Sequence, residues 1–186
     1  MIQIRKNVYE TNSSSTHSIC ISKEPYPDIK NLTIHFHAGE YGWENGCVTD
    51  TASYLYTAIV DSSSKEEYES RISKLKEILD RHSIKYTFSP VCCSRGYYEF
   101  IYEDGYIDHS CELVPFINNV LEDEDLLLRY LLGNSCIYTG NDNSNDSEDD
   151  CYRADPFIWV IWDDKLGSIP NPKHDIEHYD YYFKGN

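Results

Sequence analysis

Apolar and polar positions alternate through the first part of the chain and then change to helical spacing. Ile2, Ile4 and Val8, followed by Ile19 and Ile21, predict two short strands within residues 1–23, separated by a run of short polar side chains. In residues 31–38 Leu32, Ile34 and Phe36 share one face of a strand and His35 and His37 the other. Residues 49–61 carry Ala52, Leu55, Tyr56, Ile59 and Val60 at helical spacing. A second helix opens on the capping box formed by Ser64 and Glu67. It continues through Tyr68, Ile72, Leu75, Leu79 and His82, with Lys and Glu on its outer face.

The second half reads as strands at 85–88 and 97–102, the latter turning at Asp104-Gly105, then helices at 111–121 and 124–132. The acidic run 122–125 suits a helix N-terminus, and Gly133 suits a helix stop. Residues 135–140 predict a strand that leads into an acidic flexible loop at about 141–151, with five carboxylates in residues 141–150. A buried strand at 156–164 and a closing edge strand at 175–183 complete the pattern. This order of elements predicts one α+β domain over residues 1–186, a mostly antiparallel sheet with about four helices packed against it.

Charge narrows the partners. Sixteen basic residues against 32 acidic ones give a formal net charge of −16. Affinity for free DNA or RNA rests largely on Lys and Arg, so such a chain is repelled by a bare phosphate backbone and suited to a basic protein surface. The seven cysteines are odd in number and contain no C-x-x-C spacing, which points to reduced thiols in a cytoplasmic setting. The first residues lack a signal core and no apolar run approaches membrane-spanning length, so no membrane association is expected.

The candidate chemistry centres on Asn12, Ser13, Ser14, Ser15, Thr16 and His17. Hydroxyls and backbone N–H groups in a tight turn can cradle an anionic oxygen. His17 could act as general acid or base, with Glu10 orienting it or serving as the second proton-transfer group and Thr16 beside it. Tyr9 and the serines could donate to a phosphate. This set would fit metal-independent phosphodiester cleavage by an internal ribose 2′-hydroxyl, with no cofactor. The plainer alternative is a turn whose side chains satisfy local backbone groups. A serine nucleophile lacks the G-x-S-x-G elbow. The pairs His35/His37 and His174/His178 could face a metal, but neither has a fixed third ligand, and no metal is expected. In the glycine-bracketed segment 39–46, Glu40 and Trp43 could form a substrate wall or a partner loop, or Trp43 could simply anchor the loop.

Three islands carry a resemblance: residues 5–19 (RKNVYETNSSSTHSI), 39–44 (GEYGWE) and 138–143 (YTGNDN). They resemble motifs of a family of uncharacterised proteins from phages and mobile elements of Firmicutes. That family in turn resembles, in part, phage-encoded anti-CRISPR proteins directed at type II systems, some of which are thought to be ribonucleases that shorten the guide RNA. The resemblance implies a site lined by Glu10 and residues 12–17, with Glu40, Asn141, Asp142 and Asn143 brought beside it. It implies a type II effector nuclease and its guide RNA as partners, in the host cytoplasm. A large basic effector holding RNA in a positive channel would attract an acidic chain that free RNA repels. Two mechanisms follow: a recruited ribonuclease, or a non-enzymatic acidic inhibitor that imitates nucleic acid in a basic groove. The tyrosine-rich stretch 178–183 leaves a dimer open.

Overall fold

A computed structural model describes residues 15–27, 32–42, 46–90, 105–141, 160–163, 167–170 and 177–184. Its centre is a four-stranded antiparallel sheet in the order β10-β1-β7-β4, built from β1 (Ser15–Ser22), β4 (Gly46–Val48), β7 (Cys136–Asn141) and β10 (Tyr179–Lys184). Four α-helices accompany it among the described residues: α1 (Thr51–Asp61), α2 (Lys65–Arg81), α3 (Val114–Glu122) and α4 (Glu124–Leu132). The fold is α+β, as the order of patterns predicts.

Among the described residues three further pairs are short. β2 (Thr33–Phe36) runs parallel to β5 (Lys85–Phe88), and β3 (Glu40–Tyr41) parallel to β6 (Tyr106–Ile107). The mostly antiparallel expectation holds in the four-stranded sheet; for the parallel β2–β5 pair, α1 and α2 lie between the strands in the chain and supply the crossover that parallel strands require. β8 (Val160–Asp163) pairs with β9 (Gly167–Pro170) as a hairpin. The strand expected at 97–102 and most of the acidic loop lie outside the described residues.

Local chemistry sets the helix limits. The Ser64–Glu67 capping box is present in both directions. Asp123 accepts the Leu126 N–H at 3.0 Å and starts α4. At its other end a Cβ on Gly133 would sit 2.6 Å from the Arg129 carbonyl oxygen, so only glycine closes the turn this tightly. The helix expected from residue 111 begins instead as a 3₁₀ turn, Ser110–Leu113. Regular α geometry follows from Val114, with Pro115 in the first turn where its missing N–H costs nothing.

One departure matters for the site. The spacing of α1 predicts a single apolar stripe, yet every residue from Thr51 to Val60 is buried. The helix sits inside the molecule, against β2, β6, α2, α3 and α4. Its polar side chains are therefore committed to neighbouring backbone: Ser53 Oγ accepts from the His37 N–H at 3.2 Å and Thr57 Oγ1 from the Gly39 N–H at 3.0 Å.

Candidate functional site around His17

The end of the polar cluster is strand and not turn. Ser15, Thr16 and His17 open β1, which is paired on both sides, with β10 and with β7. Alternation along a strand then sends Ser15 and His17 to one face and Thr16 to the other. Thr16 and His17, taken together as catalytic partners from their adjacency in sequence, stand on opposite faces of the sheet.

His17 is enclosed, with no exposed surface. Its Nε2 lies 3.1 Å from the Gly42 carbonyl oxygen and its Nδ1 lies 2.8 Å from the Tyr54 hydroxyl. A carbonyl only accepts, so Nε2 carries the proton and donates it, and Nδ1 accepts from the Tyr54 O–H. Burial and then the nearby Lys184 charge push the imidazole down to about 4, against the opposing pull of the Gly42 carbonyl and Asp108. The ring is neutral at pH 7. Tyr54 is itself pushed well above the ordinary phenol range, by burial first and then by Tyr41, whose ring lies 5.0 Å away. Burial, followed by Asp50, lifts Tyr41 to about 12.

Lys184 stands opposite His17 in the β1–β10 register and is 1% exposed. Its ammonium donates to the Ser15 carbonyl and to Ser15 Oγ, each at 2.6 Å. On the same side Asp108 accepts from the Ser15 N–H at 3.4 Å through Oδ2 and from the Tyr106 hydroxyl at 2.6 Å through Oδ1. Burial raises the Asp108 carboxyl, but the two hydrogen bonds and the charges of His109 and Lys184 outweigh it and hold the group below the ordinary value.

The structure brings parts of all three motif islands to this point. Ser15 and His17 come from the first, Gly42 from the second, and from the third Thr139, opposite His17, and Asn141, opposite Ser15. Glu40 is exposed on β3, in register with Tyr106. Tyr9, Glu10, Asn12, Ser13, Ser14, Trp43, Asp142 and Asn143 lie outside the described residues.

Sequence reasoning missed Tyr54, Asp108 and Lys184. Lys184 could have been suspected because strand alternation through residues 179–184 places a lysine on the face of Asp180 and Tyr182. Tyr54 falls inside the 49–61 helix but off its expected stripe, a position that matters only once the helix is known to be buried all round.

The arrangement is a set of mutually satisfied polar groups that locks β1 to its neighbours. No atom of the imidazole is presented to solvent. An open cleft elsewhere is lined by Lys23, Pro25, Tyr26, Asp125, Arg129 and Asp180, where Arg129 donates to Asp125 and Asp180, each at 2.9 Å, and to the Ser22 carbonyl at 3.0 Å. Among the described residues no three His, Cys, Asp or Glu side chains converge to hold a metal ion, and no helix is long and apolar enough to cross a membrane. No family model, curated protein or solved structure matches the chain.

Proposed function

We propose that this protein is a non-catalytic acidic inhibitor that docks on a basic groove of a type II RNA-guided nuclease. The observation that carries the reading is the state of His17: enclosed, neutral, and with both ring nitrogens engaged within the fold. Cleavage by a ribose 2′-hydroxyl needs a base that touches that hydroxyl, with a lone pair to offer it. The Nδ1 lone pair already accepts from Tyr54, and the ring has no exposed surface. Ser15 and His17 then serve the structural centre of the sheet, and recognition falls to the charge of −16. The motif resemblance supplies the partner: a phage-type inhibitor meets a large cationic effector that carries RNA in a positive channel.

A labelled guide RNA, incubated with the protein in EDTA with and without the effector, tests this on a denaturing gel beside a DNA-cleavage assay. The expected result is intact RNA, blocked DNA cleavage, and inhibition that weakens as salt rises. Replacing Asp146, Glu148, Asp149 and Asp150 by their amides should weaken it further. RNA shortened only when effector and protein are both present would replace this reading with the recruited ribonuclease. Intact RNA with a fully active effector would remove both.

A further inference from the structure

We propose that His35 and His37 form an open two-imidazole site for a divalent transition ion of the nickel, copper and zinc group. The inference is independent of the reading of His17 and of the partner.

The two histidines are two residues apart, His35 within β2 and His37 one residue beyond its end, so the strand places them on one face, and both are exposed. Their rings lie side by side, with centroids 6.2 Å apart and planes 23° from parallel. Ile34 and Phe36, between and beside them, are buried and fix the backbone that carries the pair. Phe36 stacks on Phe88 at 4.6 Å, which anchors β2 to β5 from the inner face.

The partner strand adds the feature that distinguishes this pair from two scattered surface histidines. His35 Nδ1 lies 2.8 Å from Thr87 Oγ1, directly opposite in the parallel register. Metal-binding histidines commonly use one ring nitrogen for such a bond, which fixes the tautomer and the ring orientation. In the tautomer that donates its Nδ1 proton to Thr87, Nε2 keeps the lone pair and is the ligand atom.

Two bonds of about 2.1 Å at a tetrahedral angle would bring the two ligand nitrogens to roughly 3.4 Å of one another. The His37 ring must tip toward His35 to reach that spacing, a rotation that an exposed side chain makes in picoseconds to nanoseconds. Lys85 shares the exposed face, opposite Thr33, and opposes a cation locally; the net charge of −16 favours one over the whole molecule. Imidazole ligands select the later first-row ions over calcium and magnesium. The remaining coordination positions stay open to water or to a ligand from another molecule.

Titration of the full chain with nickel chloride, by calorimetry and by NMR of the histidine ring protons, tests the site. The expected result is one dominant site at which the His35 and His37 signals broaden first. His35→Gln and His37→Gln should each lower the affinity by about 10-fold or more, and Thr87→Val by roughly 10-fold with an unchanged melting temperature. Affinity that survives in the double His35→Gln, His37→Gln variant would place the ion elsewhere and overturn the proposal. Earlier broadening of His82, His109 or His178 would do the same.

Discussion

Two strands of the molecule present histidines, and the fold treats them in opposite ways. In β1 the imidazole of His17 is sealed, with a tyrosine hydroxyl on one nitrogen and a backbone carbonyl on the other. In the β2–β5 ribbon His35 and His37 stand in solvent, with one threonine hydroxyl against His35. Residue type does not separate them. Position does: β1 lies inside a four-stranded sheet with a neighbour on each side, whereas β2 and β5 form a two-stranded pair whose outer face is uncovered. A proton-transfer group in the first setting becomes part of the scaffold, and in the second it stays chemically available.

The sharpest way to break this contrast is to remove the rings. His17→Leu strands the Tyr54 hydroxyl and the Gly42 carbonyl inside the protein and is expected to cost about 3 kcal/mol. His35→Ala should stay within about 0.5 kcal/mol of the parent, as surface changes do. Urea midpoints of the two variants check both numbers, and equal effects would mean that His17 is not held as described.

Acid provides a second probe of nearly the same size. The folded imidazole of His17 sits near 4 and the ordinary value is 6.5, so the unfolded chain takes up the proton first. Stability is present above pH 6.5 and is lost progressively as the pH falls toward 4. The loss from this group is about 3 kcal/mol when complete. Asp108, held below the ordinary carboxylate value, contributes a further loss only at lower pH. Chemical denaturation at pH 7, 5.5 and 4.5 resolves the first window, and a flat profile across it would contradict a buried neutral ring.

The smallest of the three effects is the most local. Tyr54→Phe removes one donor and leaves Nδ1 of His17 buried without a partner, for about 1–2 kcal/mol. The same change should move the His17 titration, followed by the NMR shift of its ring protons.

How much of this was legible beforehand differs between fold and site. The Ser64–Glu67 capping box, the stop at Gly133, the α2 stripe and the edge strand ending the pattern follow from local rules, and local rules survive folding. The environment of His17 depends on residues 25, 37, 91 and 167 positions away, Gly42, Tyr54, Asp108 and Lys184. No window of sequence holds them together. The placement of Thr16 and His17 on opposite faces has a local cause: neighbours in a strand point apart.

The bond between Lys184 and Ser15 joins residues 169 positions apart, and it closes the side of β1 that faces β10. During synthesis β1 emerges first but can pair with β7 only after residue 141, and with β10 only after residue 184. Until then its backbone donors and acceptors on that side have no native strand to meet. The helical half of the molecule can assemble from contacts close in sequence, while the sheet waits for long-range ones, which form slowly. The helices are therefore ready before the central sheet is, and the strand bearing His17 needs protection from wrong pairing until β10 has been made.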